Sequence, residues 1–446
     1  MSNLKYDVVV IGGVAAGTSA AATIKRIKSD MSVCIFQKEP YISYGGCGLP
    51  YSVSGEVKSP ESVIGFTPEI FKEKKGADVF INHEVYKVNF DNKKVYVKNE
   101  NDEFEVEYKN LVISTGASPI MPKFTYTGNG VFKLRNPTDA RTMLDFINEN
   151  NPKKGIVIGG GYIGIESAEA LKKHGIDVTV IEGTDKLLRG MEDELLNAFK
   201  DMTTKSLKVE FNTMVEDITF DNGIKVITKN KNYDADIVVV AIGVRPNTGF
   251  LKGTDLEMLK NGAIVVNEKS QTNIKDVYSA GDCASVKNYI TKKDVYIPLG
   301  TTANKQGRVA GKNICDVKES FEGVVGSLIT KYEDVEFAKT GFSLSEALES
   351  GFDAIKVYVK SGSKAHYYSG SKKIHMTMTV EKSTGRILGA QYVGGEVFAR
   401  LNAITPLLYK NGTVDDLRNM DLAYAPPFSP VWDINLVAAN LAKKKI

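Results

Sequence analysis

Residues 154–175 read KGIVIGGGYIGIESAEALKKHG: a short β-branched run, a glycine-rich turn, then an alanine-rich amphipathic stretch. That order predicts a strand, a tight turn and a helix. The same shape occurs earlier, in KYDVVVIGGVAAGTSAAATIKRI (5–27). Each copy is followed by a second apolar run, DVTVIE (177–182) and MSVCIF (31–36). The chain therefore carries two separate βαβ units, each built around a parallel strand pair.

Gly159, Gly161 and Gly164 fit GxGxxG. In such a turn the first glycine makes the bend, the second admits a pyrophosphate to the backbone, and the third lets helix and strand pack closely. The residues that follow, Tyr162 and Ile163, start a helix whose free N–H groups suit an anion. Glu182 ends the next strand. A carboxylate there accepts from both ribose hydroxyls and repels a 2′-phosphate, which favours NADH. Lys186 and Arg189 lie close enough to leave NADPH use open. The first motif is looser. Gly12, Gly13 and Gly17 surround Val14, Ala15 and Ala16, and the strand ends in Gln37 and Lys38 rather than an acid.

Other segments support a flavin at the first motif. Gly281 and Asp282 stand at a strand end, where a carboxylate can bond a ribityl chain. Thr301, Thr302 and Ala303 open a helix whose positive end can face a reduced flavin ring. Thr115 and Gly116 (STG, 114–116) and Gly243 (AIGVRPN, 241–247) mark strand ends where domains meet. One site is read as holding FAD and the other a nicotinamide.

The rest of the chain bounds the chemistry. Its 446 residues suggest about three domains. With 57 basic and 54 acidic residues the net charge is +3, which gives no field for nucleic acid or an anionic membrane. The longest apolar run, IVVVAIGV (237–244), falls well short of the ~20 residues of a membrane span. The N-terminus reads as a strand rather than a signal peptide. Cysteines 34, 47, 283 and 315 form no CxxC, and four histidines are scattered, so neither a metal site nor a disulfide framework is expected. Reduced thiols point to the cytoplasm. Cys34, Cys283 and Cys315 read as packing residues. Cys47 differs, because it lies in the glycine-rich loop YISYGGCGLPYSVSG (41–55).

These motifs, in this order, resemble the pyridine nucleotide–disulfide oxidoreductase family over essentially the whole chain. The resemblance implies an α/β fold: two nested Rossmann-like dinucleotide-binding domains plus a C-terminal α+β dimerisation domain. The FAD-binding domain would comprise 1–118 and 250–325, the NAD(P)H-binding domain 119–249 and the dimerisation domain 326–446. Dithiol members carry CxxxxC where this chain has only Cys47, with Ser52 in the second position. SYGGCGLPY is similar to the single-cysteine branch that reduces coenzyme A disulfide, persulfide or polysulfide through a mixed disulfide with coenzyme A. AHYYSG (365–370) and AYAPPFSP (423–430) match that branch's two tyrosine segments, with Ser369 where the branch has proline. The resemblance implies that Tyr367 and Tyr424 act across a homodimer interface on the partner's redox cysteine. It also implies coenzyme A contacts at Arg26, Ser43 and Lys75, and a nicotinamide-positioning role for Glu166. The main alternative is an NADH oxidase or peroxidase in which Cys47 cycles as a sulfenic acid, with dioxygen or peroxide as acceptor. A flavin-bearing redox sensor with little turnover is a third reading that no feature favours.

Overall fold

The computed structural model describes residues 4–203 and 206–446. The two glycine motifs sit in two separate parallel sheets. In the first, strand Leu4–Ile11 lies between Val33–Gln37 and Glu103–Ile113, both parallel to it, and Asp78–Ile81 extends the sheet beyond Val33–Gln37. The eleven-residue strand Glu103–Ile113 does two jobs along one edge. Its first half pairs antiparallel with Lys94–Lys98, and its end pairs parallel with Val277–Ser279. That last pairing returns the chain to the first sheet after an excursion of more than 160 residues.

The excursion is the second sheet, in the order Lys208–Glu210, Asp177–Ile181, Lys154–Ile158, Ile237–Val240, Val131–Phe132, all parallel. The segment 208–236 reads from sequence as a hairpin region. Its first three residues instead form the parallel edge strand, and the antiparallel meander covers only Val215–Phe220, Ile224–Thr228 and Asn232–Ala235. The two crossings between sheets pair with each other, Ala117–Pro119 against Val244–Pro246.

Beyond these lies a five-stranded antiparallel sheet, Leu328–Tyr332, Val335–Gly341, Ile387–Gly394, Lys373–Glu381 and Ala354–Gly362 in that order. Helices Phe398–Tyr409 and Ile434–Lys443 share its core through Leu401, Ile404, Leu408, Ala438 and Ala442. The terminal helix was not read from sequence. Its signal is Asp433, whose side chain caps the Asn435 N–H before an alanine-rich apolar run. Among the described residues no helix is long and apolar enough to cross a membrane.

Candidate functional site

Both glycine turns close in the same way. Gly12 and Gly159 have positive φ, +99° and +103°. A Cβ on Gly17 would stand 1.9 Å from the Gly12 carbonyl oxygen, and one on Gly164 the same 1.9 Å from that of Gly159. The strand-end side chain latches each turn: Gly13 N–H donates to Gln37 Oε1 and Gly160 N–H to Glu182 Oε2, both at 2.7 Å. Glu182 Oε1 also accepts from the Thr184 N–H and hydroxyl. Val14 in the looser motif therefore leaves the turn geometry intact. Lys186 ion-pairs with Asp193 at 2.9 Å, while Arg189 is exposed. Lys38 is likewise committed, to Glu84 at 2.7 Å.

Gly161 is different. A Cβ there would meet no protein atom within 4 Å, and its φ of −76° suits any residue. The fold does not require glycine at 161, so the open space in front of it fits a pyrophosphate on the backbone. Tyr162 turns its ring inward against Phe337, which leaves its backbone at the helix start for a ligand, and Ile163 is exposed. Glu166 faces inward too, accepting from Thr330 Oγ1 at 2.9 Å. Burial raises its pKa, opposed by bonds from Thr330 and Tyr51. Gly243, φ +120°, lies in the connection between the strands Ile237–Val240 and Val244–Pro246, and its carbonyl accepts from Ile120 N–H.

Around the first turn, Ala15 and Ala16 pack with Ala280 and Ala303. Gly281 (φ +83°) donates to Gln306 Oε1 at 3.0 Å. Gly116 (φ +68°) and Thr115 offer carbonyls that Asn247 caps. The helix Gly300–Ile314 begins here with Thr301 exposed and Thr302 buried. Thr302 Oγ1 is buried without a hydrogen-bond partner, which fits a flavin that would bond it. Asp282 ion-pairs with Arg135 at 3.2 Å, a cation that sequence reading missed.

Cys47 lies in a single helical turn, Gly46–Gly48, ahead of the helix Leu49–Val53, and is exposed. The loop before it is sutured at Ser43, a residue at φ +50° whose N–H donates to the Gly13 carbonyl and whose carbonyl accepts from Gly65 N–H. Despite the exposure, surrounding protein desolvates the thiol and raises its pKa, helped by Glu166 and Asp282 and opposed by Arg135. Cys34, Cys283 and Cys315 are buried.

Ser43 also lines a cavity of about 440 Å³. One wall is the helix Ala15–Ile27 with Thr18, Ser19, Ala22, Thr23 and Arg26, and a second is Asn304, Lys305 and Arg308. The two helices approach closely because Gly307 and Gly311 face Ala16 and Ala20, where any Cβ would strike carbonyl oxygens at 2.2 and 2.8 Å. Phe66 and Phe71, edge to face at 5.8 Å, form the third wall, with Lys75 Nζ 5.4 Å above the Phe66 ring. Among the described residues, no carboxylate lies within ion-pair distance of Arg26, Lys75, Lys305 or Arg308. Four cations without counter-ions beside two phenyl rings make a receptor for a polyanion with an apolar part.

A family model described as pyridine nucleotide-disulphide oxidoreductase matches residues 6–307, and the corresponding dimerisation domain matches 328–434. The chain belongs to the pyridine nucleotide–disulphide oxidoreductase family. It is 38% identical over 446 residues, 99% of both chains, to a protein of Pyrococcus abyssi named NAD(P)H sulfur oxidoreductase (CoA-dependent). It is 36% identical to an NADH oxidase of Methanocaldococcus jannaschii, over 98% of this chain and 99% of the other. It is similar to the structure of a NAD-dependent persulfide reductase from A. fulgidus, with TM-score 0.95, 37% identity, and coverage of 99% of this chain and 83% of the other.

For a member of this family, FAD and NAD(P)H are the cofactors, and the fold and flavoenzyme class match the expectation from sequence. The dimerisation domain carries the two tyrosine segments. Tyr367 and Tyr424 meet, hydroxyl to hydroxyl, at 3.3 Å, although they stand 57 positions apart in the chain. Both are exposed, as are the neighbouring Phe428, Val431 and Trp432. Phe66, Phe71, Ser19, Asn304, Lys305 and Arg308 are cavity residues missed from sequence. Only GTTANKQGR, already read as a helix start, held a signal: cations spaced along one helical face.

Proposed function

We propose that this chain is a FAD-dependent NAD(P)H oxidoreductase that reduces coenzyme A disulfide, or persulfide and polysulfide with coenzyme A as bound carrier, through Cys47. The cavity with four unpaired cations carries the reading. Coenzyme A brings about four negative charges in its 3′-phospho-ADP group, and the cavity offers Arg26, Lys75, Lys305 and Arg308. Its pantetheine arm is apolar enough for Phe66 and Phe71. Ser43, at the cavity edge, is four residues from Cys47, within reach of a thiol at the end of that arm. An NADH oxidase using a sulfenic acid has no need of such a cavity. In this reading residues 1–118 with 250–325 serve FAD, 119–249 serve NAD(P)H, and 326–446 form the dimer.

FAD, when bound, supplies the two-electron link between nicotinamide and sulfur. This chain's residues do the rest. Glu182 and the Gly161 turn seat the dinucleotide, and Glu166 positions its reactive end. Cys47 thiolate attacks one sulfur of coenzyme A disulfide, and the S–S bond breaks as one coenzyme A thiolate leaves. Tyr424 and Tyr367 of the other subunit deliver its proton. The Cys47–coenzyme A disulfide then takes two electrons and a proton, returning Cys47 thiolate and releasing the second thiol. In sum, NADH, a proton and coenzyme A disulfide give NAD⁺ and two thiols.

The test is the intact mass of the unreduced protein, denatured to release FAD, after incubation with coenzyme A disulfide. An added coenzyme A that a reductant removes, absent in Cys47→Ser, is the expected result. A bare thiol or one added oxygen would overturn the reading in favour of the oxidase or peroxidase.

A further inference from the structure

The two tyrosine segments are exposed strands of chain with little to hold them. Residues 366–373 are exposed throughout, and Ala423, Tyr424, Phe428, Val431 and Trp432 are exposed in the second segment. Yet both segments are pinned at buried points, and one side chain touches both pins. Arg400, on the first turn of the helix Phe398–Tyr409, is only 7% exposed. Its Nη2 donates to the Ser363 carbonyl at 2.8 Å and, at 3.4 Å, to the Phe428 carbonyl. Its Nε donates to Asp433 Oδ2 at 2.8 Å, and Nη1 donates to the Glu396 carbonyl at 2.7 Å. Asp433 in turn accepts from the Ser429 hydroxyl and the Asn435 N–H, which fixes the far end of the second segment. One direct backbone bond joins the segments, Ala365 N–H to the Pro426 carbonyl at 3.2 Å.

We infer that Arg400 is the positioning residue that brings Tyr367 and Tyr424 into one proton-delivering pair. The inference rests on the tyrosine role proposed above. Only a planar guanidinium reaches these acceptors in several directions from one buried point. A lysine keeps the charge beside Asp433 but cannot also donate to Ser363 and Phe428. Arg400→Lys therefore preserves the ion pair while removing the side-chain link between the two segments, which leaves the single Ala365–Pro426 backbone bond to hold their register.

The test is a double-mutant cycle on the FAD-loaded enzyme. Arg400→Lys is expected to lower kcat for coenzyme A disulfide about tenfold, a fraction of what a positioned proton donor contributes. The rate of flavin bleaching by NADH, which uses neither tyrosine, is expected to stay within about twofold. The decisive arm is Arg400→Lys placed in the Tyr367→Phe/Tyr424→Phe background, where its effect should vanish because the groups it acts through are gone. An equal loss in that background, or wild-type turnover in Arg400→Lys itself, would overturn the inference and leave the tyrosine role standing. Wild-type turnover in the double tyrosine variant would overturn both, leaving the Cys47 chemistry to its own mass test. Should Arg400→Lys fail to fold, Asp433→Asn enters the same cycle, with the same outcomes counted for and against. Trp432, the chain's single tryptophan, adjoins Asp433, so its emission reports whether the second segment has moved.

Discussion

Alanine at Gly161 separates what the fold needs from what the ligand needs. The new Cβ would meet no protein atom within 4 Å, and φ is −76°. Replacing glycine by alanine at a helix N-cap costs roughly 0.5–1 kcal/mol. The less flexible unfolded chain returns roughly 0.4–1 kcal/mol. The two nearly cancel, so Tm should stay within about 2 °C. The methyl group does intrude where a phosphate approaches the backbone. Overpacking at such a contact costs ~1–3 kcal/mol, or a ~5- to 150-fold rise in the NADH dissociation constant. Calorimetry and NADH titration of flavin bleaching measure the two quantities on one sample. Gly164→Ala is the contrast: its Cβ would stand 1.9 Å from the Gly159 oxygen, far inside a carbon–oxygen contact of about 3.3 Å. It should fail by melting rather than by weak binding. NADH affinity within twofold of wild type in Gly161→Ala would refute the placement of the pyrophosphate.

Three further outcomes are expected. In FAD-free protein, alkylation of Cys47 should titrate above an ordinary thiol, since burial, Glu166 and Asp282 raise it; Glu166→Gln removes a raising charge and should shift the midpoint down, whereas no shift would sever Glu166 from the thiol. Lys75→Ala and Arg308→Ala should each raise KM for coenzyme A disulfide, by about tenfold at low salt and less at high salt, with KM for NADH unchanged. Glu61, ion-paired with Arg141, has its pKa lowered to about 2, chiefly by that hydrogen bond. A depressed carboxyl stabilises above its unfolded pKa, so the Tm gap between wild type and Arg141→Met should be constant above about pH 4.5 and shrink as pH falls toward 2. Both side chains are nearly half exposed, so the gap corresponds to less than about 1 kcal/mol.

The glycine motifs were legible because each glycine answers a local backbone demand that sequence spacing records. Cys47 was legible because a lone cysteine among glycines makes a poor core residue. The cavity was half legible. Arg26 and Lys75 followed from resemblance, but Lys305 and Arg308 join them only because Gly307 and Gly311 let two helices touch that lie about 280 residues apart. Arg135 was invisible for the same reason, meeting Asp282 across 147 positions. Glu166 reads alone as a solvent-facing helix residue, and the edge strand Leu328–Tyr332 that covers it comes from a distant part of the chain. Lys208–Glu210 was misread because three residues show no period, and its partner Asp177–Ile181 lies on the far side of the helix Asp193–Thr203.

Gln37 and Glu182 hold corresponding backbone amides at the same 2.7 Å, one with an amide oxygen and one with a carboxylate. The first turn is thus a built-in control for the second: it separates the mechanical duty of that side chain from its charge. An engineer wishing to widen coenzyme choice by inverting the charge at 182 would cut the tether along with the repulsion, and the damage would be mistaken for lost selectivity. Glutamine at 182 copies a fastening the molecule already uses, and removes the charge alone.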